Sequence, residues 1–483
     1  MSRALLVACS GSEVRATLVE DGTPVELIVE RQNRASLVGN IYLGRVRRHA
    51  PGLAAAFVDI GLARDGFLPL GARRGADASD AEAPAEPPKP PAEGEALCVQ
   101  VVRDAFAGKG PQLSRRLSLA GCRLVYLPGG DRTAVSRLIE DDAERDRLAR
   151  SVTALARSGE GFVVRTAAEG ATDDELAQDA TYLRARWGDI EAARATARAP
   201  TLLHAEPEPI ERVLRDLAFA DVDTIRIDDS AAFARARAFC RRFAPAAEAR
   251  LVLHRGPAPL FDSAGIEDAV DRALAPRVAL PSGGGIVIEA TEALTVIDVN
   301  SGSLTGPAEA ALRTNLEAAE EAARQIRLRN LGGLIVVDFI SMDDEGADES
   351  WARVLAALER ALARDRVHVR LIGRTAAGLV EITRRRQRAP LAEALTEPCA
   401  ACDGTGRVAT AETVAQTALR RLAREARNAP AGTLAVTASP DVVTAMGAAC
   451  SGGIDAFATM IGRLIVLRPV PGTPREAVDV YVE

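Results

Sequence analysis

Two short apolar runs, each interrupted near its end by one aspartate, constrain this chain more than any other feature. In "EALTVIDVNSGSLTG" (292–306) the run Leu294 to Val299 contains Asp298. In "NLGGLIVVDFISMDD" (330–344) the run Leu334 to Ile340 contains Asp338, 338 − 298 = 40 residues later. The interval holds "AEAALRTNLEAAEEAARQIRLR", roughly 308–329, with the apolar period of an amphipathic helix. Strand, helix and strand within that span form one βαβ unit, whose strands are parallel neighbours or close to it. Both aspartates then face the carboxyl edge of the sheet, where open α/β folds bind ligands. The first run reads as a buried strand with no basic residue near in sequence, so desolvating Asp298 is a cost that needs a partner. Two close carboxylates repel unless one is protonated or a cation neutralises both. Mg²⁺ suits such a pair, because it takes one or two carboxylates, keeps several waters and accepts phosphate oxygens. Asn300 lies on the same face of an extended segment as Asp298 and could orient a carboxylate or the substrate without adding charge. The plainer alternative is that each Asp caps a turn or pairs with a distant Arg.

A chain of 483 residues exceeds one ordinary core, so two to four domains are expected. No apolar run approaches the ~18–20 residues of a membrane span, and the N-terminal run is too short for a signal peptide. The expected location is the cytoplasm. The formal net charge of −7 excludes a uniformly basic coat but not a local basic groove. The basic residues are nearly all Arg, with Lys at 89 and 109, which a coding bias explains as well as phosphate binding does. Cys9, Cys98, Cys122, Cys240 and Cys450 are scattered like reduced core thiols, and Cys399 with Cys402 has motif spacing.

Along the chain, residues 3–35 alternate as short antiparallel strands around "DGTP". A Gly-punctuated β-domain of about five strands follows, interrupted by the acidic, Pro-rich "ADASDAEAPAEPPKPPAEGE", expected to be disordered at about 75–95. Residues 119–212 mix strands at "CRLVYLP" and "GFVVRTAA" with helices at 139–157 and 173–194. Residues 207–277 are mixed α/β, 278–396 suggest an open α/β sheet, and the tail is a small α/β unit.

These residues resemble the ribonuclease E/G family of bacterial endoribonucleases. The resemblance lies in "LTVIDVNSG", "TNLEAAEEAARQIRLRNLGGLIVVDFI" and "GLVEITRRRQR", and also in "VGNIYLGRV", "AAFVDIG", "FVVRTAAEGA", "FDSAGIEDAVDRAL" and "LPSGGGIVIEATEAL". It covers nearly the whole chain and matches the short type, without the long disordered tail. It implies an α/β and α+β multidomain fold: an RNase H-like subdomain (1–35 and 213–277), an OB-fold RNA-binding domain (36–118) and a 5′-phosphate sensor region (119–212). A DNase I-like catalytic domain (278–396), a zinc-link (397–410) and a small C-terminal domain (411–483) complete it.

The implied activity is Mg²⁺-dependent hydrolysis of single-stranded RNA, leaving 5′-phosphate and 3′-hydroxyl ends, in rRNA maturation and mRNA decay. Asp298 and Asp338 would hold the metal and Asn300 support it. Ser341 departs from "DFIDM" in relatives, which alters the surroundings of that site. Arg165 and Thr166, with backbone at Gly121 and Val125, would engage a 5′-monophosphate; sequence alone prefers a surface ion pair and a turn-forming Thr. Phe57 and Phe67 would stack on bases and Lys109 meet a phosphate, the alternative for each ring being core packing. Leu43 replaces a basic residue of relatives, and the basic run 383–388 is placed for phosphate contacts.

"CAACDGTG" (399–406) gives two of the four ligands of a structural zinc. The second pair would come from another copy, making a zinc-linked homodimer or a tetramer of such dimers. A redox dithiol is the rival reading. Against the enzyme as a whole stand a catalytically silent RNA-binding scaffold and a metal-dependent phosphodiesterase acting on another nucleic acid.

Overall fold

The fold is that of a computed structural model, described for residues 2–31, 36–70, 90–105, 109–130, 132–217, 222–302, 308–342, 347–386, 388–428, 431–449 and 453–483. Most of the expected 75–95 loop therefore lies outside the described residues. The chain divides into two compact units, Met1–Leu395 and Thr396–Glu483. It is mixed α/β and multidomain, as expected.

In the first unit, Arg3–Ser10, Glu13–Glu20 and Thr23–Arg31 form an antiparallel meander. The second hairpin turns at Asp21-Gly22, both at positive φ (45° and 80°), the backbone that a two-residue Asp-Gly hairpin requires. Thr224–Ile227 and Leu251–Leu253 extend this sheet in parallel beyond Arg3–Ser10. Leu5, Val7, Ala16 and Leu18 pack there on Ala232, Ala236 and Cys240 of the helix Ser230–Phe243.

Five strands close into an OB-like barrel: Ile41–Ala50, Ala55–Asp59, Gly66–Pro69, Gln112–Ser114 and Ala96–Arg103, the last pairing back on the first. Tyr42, Val46, Val58, Leu68 and Val99 fill it. Thr201–His204, expected within the sensor region, pairs instead with the first barrel strand. Leu43 is buried between Thr201 and Cys98, so this position serves packing rather than an exposed contact to RNA.

Leu119–Ala120, Leu124–Pro128, Glu160–Val164 and Thr133–Val135 form a four-stranded sheet. It packs on the helices Asp142–Leu155 and Asp173–Thr196, through a core that includes Phe162, Leu148 and Leu183. The second of these helices starts with a full capping box, Thr172 and Glu175 bonding each other's backbone amides.

The six-stranded sheet that carries both aspartates runs Arg277–Ala279, Gly285–Ala290, Leu294–Asn300, Gly333–Asp338, Val380–Arg384, Val369–Arg374 in spatial order. The helix Ala308–Leu328 makes the expected crossover between Leu294–Asn300 and Gly333–Asp338, and those strands are parallel neighbours. The other pairings described in this sheet are antiparallel, so it is an α/β sheet built mainly of hairpins around one βαβ unit. Ile286, Ile297, Val299, Ile335 and Val337 pack on Ala319, Ala323, Val354 and Leu358, from the helices Ala308–Leu328 and Ala347–Leu362. Both helices thus cover the same face, and the other face is open.

In the second unit, the sheet Ile465–Pro469, Leu434–Ala438, Asp479–Val482 packs on Ala411–Asn428 and Pro440–Ala449. Leu422, Leu434, Val436 and Met446 are fully buried there. Among the described residues no single helix is long and apolar enough to cross a membrane.

Candidate active site

Asp298 and Asp338 are direct Cα partners across the parallel pair. The strand around Asp298 alternates: Thr295, Ile297 and Val299 point into the core, while Asp298 and Asn300 are exposed. This overturns the reading of Asp298 as a carboxylate in a buried strand. The helices shield one face only, so neither aspartate bears the desolvation cost that the apolar run suggested.

Asn300 donates its amide to Asp298 Oδ2 at 2.7 Å, which orients that carboxylate without neutralising it. Among the described residues no cation pairs with either aspartate. Two carboxylates on neighbouring strands, one steered by an amide, fit the oxygen donors that a Mg²⁺ takes from protein while keeping its waters. Among the described residues no group of three or more His, Cys, Asp or Glu could hold a metal by itself, so any ion here relies on water or substrate for its remaining ligands.

Beside the pair, an open groove of about 760 Å³ is lined by Arg277, Val287, Glu289, Asp298 and Asn300 and walled by Gly283 to Gly285. Its end wall is two turns pressed together. A Cβ on Gly284 would lie 2.6 Å from the Asn300 carbonyl, and one on Gly302 (φ 63°) 2.3 Å from that of Gly283.

The four-stranded sheet holds the second set of residues. Arg165 follows the strand Glu160–Val164; its Nη1 donates to the Gly121 carbonyl at 2.6 Å and its Nη2 to Asp216 at 2.9 Å. Thr166 is exposed, its hydroxyl 2.9 Å from that of Ser136. Val125 sits in the middle strand opposite Val163. Two residues that sequence reasoning missed hold this arrangement. Asp179, 3% exposed, accepts the amides of Cys122, Arg123 and Leu124 at 3.2, 2.8 and 2.8 Å. It fixes the turn after Gly121, where any Cβ would strike its carboxylate at 2.5 Å. Asp216 faces Arg165, Arg215 and Arg388. Burial alone would push its carboxyl up, but Arg215, Arg165 and Arg388 hold it well below the usual carboxylate range.

The basic run 383–388 departs from expectation. Arg384 is buried on Asp365, Arg386 bonds the Gly332 carbonyl, and Arg388 reaches Glu30 and Asp216. These cations brace the sheet against its neighbours, because a strand end packed between elements buries its side chains. Arg385 stays exposed, and Gln387 lies outside the described residues.

On the barrel, Phe57 and Phe67 are direct cross-strand partners, edge to face with centroids 5.9 Å apart. Both are half-buried on the face opposite Val58 and Leu68, so they are not barrel core. The Arg48 guanidinium lies 4.3 Å over the Phe57 ring. Lys109 is exposed in the segment leading to Gln112, the neighbour of Phe67.

In the second unit Cys399 is exposed and Cys402 half-buried, in a turn closed by Asp403 N–H to the Cys399 carbonyl at 2.7 Å. The backbone amides of Ala401 and Cys402, then the Cys402 side chain, hold the Cys399 thiol below its ordinary range, which favours the thiolate a metal needs. Two thiolates fit half of a structural zinc site. By contrast, burial pushes Cys9 and Cys240 up to about 11, as suits inert core thiols.

A profile described as the Ribonuclease E/G family matches residues 118–387, more than half of the chain. The chain belongs to the ribonuclease E/G family. It is 36% identical over 491 residues to Ribonuclease G of Escherichia coli strain K12, covering all of both chains. Against Ribonuclease G of Haemophilus influenzae the identity is 38% over 452 residues, 91% of this chain and 90% of that one. Ribonuclease E of a Nostoc species is 38% identical over 415 residues, spanning 83% of this chain but 58% of its own length. The family match therefore takes in the aspartate-bearing sheet, Arg165, Thr166, Gly121 and Val125, while the full-length likeness extends to the barrel and the cysteine pair.

Proposed function

We propose that this chain, a ribonuclease by family, is a Mg²⁺-dependent endoribonuclease that cuts single-stranded RNA at Asp298 and Asp338. The observation that carries the reading is their register: direct partners on parallel strands, on the open face, with no cation paired to them among the described residues. When bound, the metal would polarise the scissile phosphate and lower the pKa of water. Asp298 and Asp338 would hold it, and Asn300 keeps one Asp298 oxygen turned in a fixed direction. Water oxygen becomes bonded to phosphorus, the bond to the 3′ oxygen breaks, and the products carry 5′-phosphate and 3′-hydroxyl ends.

Phe57 and Phe67 offer ring faces to splayed bases, with Lys109 for a phosphate. Arg165, pre-oriented by Asp216, and the Thr166 hydroxyl would take a terminal 5′-monophosphate, with backbone at Gly121 and Val125 completing the site. A triphosphate would crowd it. Ribosomal RNA precursors and mRNA are the proposed substrates, as the resemblance implies.

The proposal extends to the domains: RNase H-like for the mixed five-stranded sheet, DNase I-like for the six-stranded one, and a zinc-link at Cys399 and Cys402. Completion of that zinc by a second copy makes the chain a homodimer, with tetramers of such dimers as the next step. Replacing Cys402 by Ser should then lower bound zinc and dimer mass together; an unchanged mass by light scattering would remove the shared site.

The deciding experiment is cleavage of 5′-monophosphorylated, 5′-triphosphorylated and 5′-hydroxyl versions of one RNA, with Mg²⁺ and with EDTA. Cutting that needs Mg²⁺ and is fastest for the monophosphate is expected. Binding without cutting would leave a scaffold, and equal cutting of matched DNA would make the enzyme a general nuclease.

A further inference from the structure

We infer that Arg277 is a phosphate anchor for the RNA strand in the groove beside the aspartate pair, a role that rests on the phosphodiesterase reading above. Arg277 pairs with Val287, Val287 with Asp298, and Asp298 with Asp338. Residues directly opposite in a sheet share a face. The guanidinium and the two carboxylates therefore stand in one row across four strands, on the open face. Arg277 and Asp298 are two strand spacings apart, about 10 Å between Cα atoms. That places a long arginine within reach of a phosphate next to the one at the aspartates.

Charge and exposure support the assignment. Arg277 and Asp298 line the same groove, whereas Asp338 does not, so the groove runs from the pair toward the sheet edge that Arg277 occupies. Its charged walls are Arg277 against Glu289 and Asp298. Among the residues that line it, removing the arginine would leave Glu289 and Asp298 as the charged groups facing a polyanion. Arg277 is exposed, and among the described residues no carboxylate pairs with it, so its donors remain for a ligand. A planar fork suits two phosphate oxygens. The groove's Gly283 to Gly285 wall carries no side chains to bar a nucleotide. The chemistry recognised is a phosphodiester of single-stranded RNA, held one step from the bond that breaks.

The test uses the full chain. In the Asp338→Asn protein, binding of a ten-nucleotide single-stranded RNA is measured against salt, with and without Arg277→Ala. Loss of one phosphate contact should flatten the log–log salt slope by about 0.7, and Arg277→Lys should restore it. In the protein with both aspartates, Arg277→Ala should raise KM roughly 3–10-fold, as for one lost charged contact, with little change in kcat. Unchanged thermal melting separates these effects from misfolding. If Asp338→Asn abolishes cleavage but Arg277→Ala leaves slope and KM alone, the anchor is wrong and the catalytic reading stands. If Asp338→Asn still cleaves with Mg²⁺, the catalytic reading fails and the anchor with it.

Discussion

Two pairs of aspartates in the first unit have opposite surroundings. Asp179 is buried and accepts three backbone amides, and half-buried Asp216 faces three arginines. Asp298 and Asp338 stand in the open, with one amide bond from Asn300 and, among the described residues, no cation. A carboxylate whose oxygens are taken up by the protein holds structure, because removing it strands the groups that depend on it. One left open can be filled by an ion or a substrate. The contrast divides the four by consequence: substitution in the open pair should remove chemistry, and in the enclosed pair, stability.

The largest effect is expected in the open pair. Asp298→Asn or Asp338→Asn should lower kcat by on the order of 10³-fold or more, since several kcal/mol of charge stabilisation go with the metal. Melting temperature and RNA affinity should barely move, as for surface substitutions. A variant that keeps its activity, or one that unfolds, would erase the distinction between the pairs. Asp179→Ala comes next. It strands three amides, at roughly 1–3 kcal/mol each and not additively, so a loss of about 3 kcal/mol is expected in urea unfolding. Any preference for monophosphorylated ends should fall too, because the turn after Gly121 loses its anchor. An unchanged unfolding midpoint would show that water can replace that carboxylate.

How much of this was legible in the sequence follows from what each feature depends on. The partnership of Asp298 and Asp338 was readable, because 40 residues with one amphipathic helix allow little besides a βαβ crossover. Their exposure was not. Whether a strand is covered on one face or both depends on where two helices land, and apolar Val296 beside Asp298 made the run look buried throughout. Asp179 and Asp216 gave no signal, since each is an ordinary acidic residue on a helix; the amides that Asp179 accepts lie 55 to 57 positions away, and Asp216 reaches Arg165 and Arg388 at 51 and 172 positions besides its neighbour Arg215. Arg277 escaped notice in a three-residue edge strand, Arg277–Ala279, too short to show a period. The run 383–388 misled in the other direction: charge density suggested phosphates, yet Arg384 and Arg388 are occupied by Asp365, Glu30 and Asp216.

Between the two classes lies Arg165, held by Asp216 yet proposed to meet substrate. Its replacement by Ala should cut the preference for 5′-monophosphate over 5′-hydroxyl RNA by roughly 10-fold or more, the worth of a charged hydrogen bond. Activity on 5′-hydroxyl RNA should persist. If both ends slow equally, Arg165 belongs with the structural residues.

The smallest effect is expected at Asp216, and its pH dependence gives it away. Arg215, Arg165 and Arg388 hold its carboxyl well below the usual range despite the opposing effect of burial. The unfolded chain releases that proton near pH 3.9. A carboxyl with a depressed folded-state pKa stabilises the fold fully above the unfolded value and loses that contribution as pH falls toward the folded one. Asp216→Asn should thus cost about 1–2 kcal/mol at neutral pH, and the gap to the parent protein should narrow steadily below about pH 4. A gap at Asp216 that stays constant down to pH 2 would mean that its shape, rather than its ionised form, keeps Arg165 and Arg388 in place.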